Sequence, residues 1–146
     1  MKNNVLKKFQ THFSDLYKCH HRLTENIKEL IYESRKAHEY TRQFCYTHAN
    51  HLQEKMDEIS RDFAIITSRW SKLNDMFAKL TVINDQLSTF KNSKSKECTL
   101  TIKEWIDAYT EYNNTHHDIE EWLDGAVTKW MEYEKLVMKH CEDLSD

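Results

Sequence analysis

Apolar side chains recur along this chain with gaps that alternate between three and four residues. Over residues 6–30 they are Leu6, Phe9, Phe13, Leu16, Leu23, Ile27 and Leu30, and His20 fills the one vacant position. Such an alternation places every one of these residues on a single face of a helix, the a/d seam of a heptad. The stripe is lost in YESRKAHEYTRQ, residues 32–43, where the same frame carried forward would put His48, His51 and Lys55 in the seam. A first helix is therefore expected over about 4–33, followed by a turn.

A shifted frame resumes at Cys45. It continues through Ala49, Leu52, Met56, Ile59, Phe63, Ile66, Trp70, Leu73, Phe77 and Leu80, eleven apolar seam positions in succession. A three-residue step then leads to Ile83, followed by Leu87 and Phe90, and reads as a stammer that overwinds the helix locally. This predicts a second helix over about 40–90. The small, polar, basic stretch KNSKSKE (91–97) is the predicted linker. A third helix is expected over about 100–144, opened by the capping box Thr101-x-x-Glu104. Its seam runs Ile102, Trp105, Tyr109, Tyr112, His116, Ile119, Leu123, Ala126, Trp130, Tyr133, Val137, His140 and Leu144.

Gly125 is the only glycine, and there is no proline. A turn at Gly125 would reset the heptad phase, yet the frame passes it without a slip. It is expected inside the third helix, at a cost of about 1 kcal/mol relative to alanine. Close approach of a neighbouring helix is the expected reason for it. A weak point for bending and a chemical site are the alternatives.

The near absence of turn residues argues against sheets. Hydrophobic residues make up 39%, charged residues 31%, and the mean hydropathy is −0.83. That balance suits long helices that each bury one stripe. The 12% aromatic content argues against disorder. The expected fold class is all-α: an elongated antiparallel three-helix bundle or coiled coil, with residues 1–146 as a single helical domain. At ~1.5 Å per residue the first helix spans roughly 40–45 Å and the other two roughly 65–70 Å each. A first helix that short leaves seam for another chain. Trp70, Leu73, Phe77, Leu80, Phe90, Trp105, Tyr109 and Tyr112 are the candidate partner interface, for self-association or for a helical protein partner.

Charge is unevenly placed. Residues 1–96 hold 17 Lys+Arg and 11 Asp+Glu, and residues 97–146 hold 4 and 13, so segments of net +6 and −9 make up the overall −3. Opposite-signed segments favour pairing with each other or with a complementary partner. Each exposed pair contributes under about 1 kcal/mol, enough to bias register.

The residues offer little chemistry. There is no glycine-rich phosphate loop, no G-x-S-x-G elbow and no E-x-x-H pair of the kind that builds a di-metal site in a bundle. His48, His51 and Glu54 share a helical face, and His116/Glu120 and His117/Glu121 are spaced i, i+4, but none matches a zinc signature. No catalytic residue, metal ligand, cofactor or small-molecule substrate is expected. His20, His116 and His140 are read as seam residues that fix register and could make association pH-sensitive. Lys91, Lys94 and Lys96 lack a stacking platform and the chain is acidic (pI ≈ 6.3), so no nucleic acid is expected. No 18-residue apolar run exists, so no membrane span is expected. MKNNVLKKFQTHF has no apolar core of a signal peptide. Cys19, Cys45, Cys98 and Cys141 form no C-x-x-C pair and are expected to be reduced thiols in cytosol or nucleus, with a cytoplasmic chain the reading adopted, in which the sequon Asn113-Asn114-Thr115 goes unused.

ITSRWSKLNDMFAKLTVINDQLSTF is similar to the third helix of a spectrin repeat, and KEWIDAY and EEWLDGA to its tryptophan-bearing first helix. That resemblance covers roughly residues 56–125. It implies core roles for Trp70 and for Trp105 or Trp122, and a cytoskeletal linker repeat. In length and format the chain resembles the small coiled-coil subunits of trafficking assemblies, such as dysbindin and its partners in the biogenesis of lysosome-related organelles complex. This implies a non-enzymatic interaction subunit of a cytosolic assembly, peripheral to organelles or cytoskeleton, which is the expected function. The spectrin-like linker is the alternative, and a metal-binding helical bundle the remaining one.

Overall fold

The computed structural model describes residues 4–44, 49–91 and 94–145. Among them the regular structure is three α-helices: α1 (Asn4–Phe44), α2 (Ala49–Thr89) and α3 (Lys96–Ser145). No helix among the described residues is long and apolar enough to cross a membrane.

The helix limits differ from the sequence reading at three places. α1 continues past residue 33 to Phe44 and, at 41 residues, equals α2 in length. The first heptad frame does not stop at Leu30. It goes on through Ser34, which is 7% exposed, and half-buried Ala37. These side chains are too small or too polar to register as an apolar stripe, but they fit a close helix contact. Nothing in 32–43 breaks a helix. α2 accordingly starts later than expected, and its seam residue Cys45 lies outside the described residues, as do His48 and the side chains of Ala49, His140 and Leu144.

α2 stops at Thr89 because its last carbonyls find local donors. The hydroxyls of Ser88 and Thr89 donate to the carbonyls of Asp85 and Gln86 at 2.6 Å, and the Phe90 N–H donates to Leu87 at 3.3 Å. α3 begins before the expected capping box. The Ser95 hydroxyl accepts from the Cys98 N–H at 3.1 Å, the geometry of an N-cap. Thr101 instead lies within the helix, where its hydroxyl donates to the Glu97 carbonyl at 2.9 Å. Serine followed by Lys-Glu-Cys carries no glutamate at the third position, which is why the box at Thr101 looked the better start.

The helices build two compact units. Unit 1 comprises Met1–Glu25 with Arg69–Asp118, and unit 2 comprises Asn26–Ser68 with Ile119–Asp146. Each unit holds a segment of all three helices. The core of unit 1 is Leu6, Leu23, Leu73, Leu80, Ile83, Leu87, Cys98, Trp105, Ala108 and Tyr112, with His20 among them. The core of unit 2 is Ile27, Leu52, Met56, Ile59, Phe63, Ile66, Ile119, Leu123, Ala126 and Tyr133. Leu73, Leu80 and Leu87 are spaced by seven and all buried. The heptad therefore needs no stammer: half-buried Asn84 takes the next seam position, and Ile83 packs beside it.

Candidate functional site

The eight residues expected to form a partner interface lie in unit 1 and pack within the chain. Leu73 and Leu80 are fully buried, Trp105 and Tyr112 nearly so, while Trp70, Phe77, Phe90 and Tyr109 are half-buried. α1 supplies their neighbours. Phe9 meets Trp105 edge-on at 5.0 Å between centroids, His12 meets Tyr109 at 4.8 Å, and Phe13 stacks on Phe77 at 5.6 Å. The Trp70 indole N–H donates to the Thr24 hydroxyl at 3.0 Å. α1, expected to be the shorter helix, is as long as α2.

At the centre of this wall sits His20, 9% exposed and held on three sides. Its Nε2 lies 2.7 Å from Asn74 Oδ1, an oxygen that can only accept, so Nε2 carries the proton. Nδ1 is then the acceptor for the Tyr112 hydroxyl, also at 2.7 Å. The ring lies flat on Phe77, 4.3 Å between centroids and 2° from parallel. Every hydrogen-bonding atom of the neutral ring is used. Burial pulls the His20 pKa below its ordinary value; the Asn74 bond opposes this, and His116 and His21 add to the lowering. Burial pushes the already high Tyr112 pKa further up, so the phenol keeps its proton. His20 was legible as the polar vacancy in the first seam. Asn74 was not, because it flanks the second seam and no apolar period points to it.

Unit 2 places its polar groups at the edges of its core. The Lys129 ammonium reaches the Asp62 carboxylate at 2.8 Å, and Lys55 reaches Glu132 at 2.7 Å. The bond to Glu132 raises the Lys55 pKa, and the same bond lowers that of Glu132. In unit 1 Arg69 pairs with Asp118. Lys55–Glu132 and Arg69–Asp118 each join a cation of α2 to an anion of acidic α3, whereas Asp62–Lys129 runs the other way. Asp62 is buried to 7% exposure, and nothing in the apolar pattern points to it.

Gly125 lies inside α3, as the frame implied, without a positive φ. The expected reason for it is overturned: a Cβ there would meet nothing within 4 Å. Gly125 is the exposed floor of a shallow groove walled by Asp62, Glu121, Trp122 and Lys129.

The outer face of α3 in unit 2 carries a different kind of surface. Val127, Met131 and Met138 are 38%, 55% and 64% exposed. With Glu134 they follow gaps of four, three and four, and so form one stripe. It lies to one side of the seam that holds Ile119, Leu123, Ala126 and Tyr133. Exposed Asp124 and Lys135 border it.

Among the described residues no group of three or more His, Cys, Asp or Glu is placed to hold a metal ion. No protein-family model, curated protein or solved structure matches the chain.

Proposed function

We propose that the chain is a non-enzymatic interaction subunit whose helices pair as antiparallel coiled-coil segments and whose α3 receives a helix from a partner protein. The antiparallel reading is supported by the contacts within unit 1. Successive α1 residues Phe13, His20 and Thr24 meet α2 residues Phe77, Asn74 and Trp70 in descending order.

The observation that carries the reading is the Val127–Met131–Met138 stripe. Methionine is flexible and polarisable, and suits a surface that packs against another helix. The occupant is an amphipathic helix that lays its apolar face on the stripe between flanks of mixed charge, because Lys129, Lys135 and Lys139 stand with Glu132 and Glu134 around it. A small helical subunit of a cytosolic assembly, such as those of vesicle and organelle traffic, fits this format.

A photo-crosslinking amino acid placed singly at positions 131, 138 and, as a control, 121 tests the reading in the cells that make the protein. The expected result is one helical protein crosslinked from 131 and 138 and absent from 121. Crosslinks that are equal at all three positions, or absent from 131 and 138, would overturn it.

A further inference from the structure

We propose that the His20 cluster is an acid-sensitive catch, which holds the N-terminal segment of α1 on the aromatic wall of unit 1 while the ring is neutral and releases it when the ring is protonated. The inference is independent of what binds α3.

The geometry is specific to the neutral ring. Nδ1 must be bare to accept from Tyr112, and Nε2 must be protonated to donate to Asn74. A proton added at Nδ1 turns that atom into a donor facing another donor. The Tyr112 hydroxyl can rotate to accept, but its own hydrogen then loses its partner in a site that is nearly closed to water. The added charge is also buried, and a buried unpaired cation is unfavourable.

The neighbours do not compensate. α3 presents Tyr112 and His116, α1 presents His21, and α2 presents Asn74 and Phe77, neither of which titrates. The phenol is held in its neutral form. His116 and His21 act on His20 in the direction that lowers its pKa. No carboxylate is among the groups that shift His20.

His20 bonds side chains of both other helices in unit 1 through one ring. Losing that ring's fit loosens α1 where Phe9, His12 and Phe13 cover Trp105, Tyr109 and Phe77. The segment released is residues 5–25, and the surface uncovered is the apolar wall it covered.

Three measurements on the full chain test this. In the wild type, an NMR titration of His20 should give a midpoint below 6.5, and a midpoint at or above that value would overturn the proposal. Amide hydrogen exchange, corrected for the intrinsic pH dependence, should show a several-fold loss of protection in residues 5–25 between pH 7.5 and 5.5. Residues 52–66 of unit 2 serve as the internal reference. In His20→Gln the side-chain amide can accept from Tyr112 and donate to Asn74 but does not titrate, so the acid-induced loss in residues 5–25 should shrink to that of the reference. His116→Gln should retain the loss. Equal acid sensitivity in the wild type and His20→Gln would overturn the catch. If His20→Gln fails to fold, the wild-type titration and the His116→Gln exchange still decide.

Discussion

Unit 1 buries a histidine, a tyrosine and a tryptophan around Leu73 and Leu80, whereas unit 2 gathers Leu52, Met56, Ile59, Ile66, Ile119 and Leu123, with Tyr133 and Phe63 beside them. Both are made from the same three helices. They differ in how register is specified. In unit 1 it is set inside the core by directional bonds from His20 to Tyr112 and Asn74. In unit 2 the interior relies on shape, and direction comes from the edges, through Lys129–Asp62, Lys55–Glu132 and the Tyr133 hydroxyl on the Ala37 carbonyl at 3.0 Å. A buried polar cluster gives specificity but depends on protonation state, while an aliphatic core is indifferent to pH.

The largest test removes one anchor from each interior. Trp105→Ala in unit 1 should cost about 3–5 kcal/mol, and Ile59→Ala in unit 2 about 2–5 kcal/mol, in urea unfolding. Half-buried Trp70 should cost less than Trp105. If Trp70→Ala proved the more damaging, the packing described for unit 1 would be wrong.

Tyr112→Phe sharpens the contrast. It keeps the ring and leaves His20 Nδ1 without its donor, which should cost about 1–3 kcal/mol at pH 7.5. The effect should shrink in acid, where the donor is no longer needed.

The sign of the pH effect follows from the depressed His20 pKa. The unfolded chain takes up a proton near 6.5 while the folded one does so lower, so the unfolded state binds more protons in between. The stability His20 contributes is present above 6.5 and is lost as pH falls through the folded value. Thermal melts of the wild type between pH 7.5 and 5.5 should show a falling midpoint, and His20→Gln should flatten that dependence. An unchanged slope would remove the difference drawn between the two interiors.

Much of the core was legible in the sequence because burial follows the heptads. Leu52, Met56, Ile59, Phe63 and Ile66 in α2, and Ile119, Leu123 and Ala126 in α3, are buried as spaced. What escaped were contacts made by residues that carry no apolar signal. Ser34 and Ala37 extend the first seam without looking like it, so α1 was read short, and covered residues were then assigned to an interface. Asn74 and Asp62 act through a partner on another helix, and a one-dimensional period cannot show a partner. The Met131–Met138 stripe was overlooked because it lies off the dominant seam of α3.

Smaller effects come from the helix details. Ser95→Ala should cost about 1 kcal/mol by leaving the Cys98 N–H without its cap. Gly125→Ala should stabilise unit 2 by about 0.5–1 kcal/mol, since the added methyl meets nothing and the unfolded chain loses freedom. Differential scanning calorimetry checks both. A destabilised Gly125→Ala would mean that the groove floor is closer packed than described.

The two described thiols of unit 1 give the molecule a built-in stopwatch. Cys19 is exposed, whereas Cys98 is fully buried and its pKa is raised by that burial. With Cys45 and Cys141 replaced by serine, a thiol reagent meets Cys19 at once and can reach Cys98 only during an opening of the surrounding helices. The lag between first and second modification therefore times the breathing of that interior, with no probe attached. Shortening of the lag in acid, and its recovery in His20→Gln, would convert a static hydrogen-bond pattern into a rate.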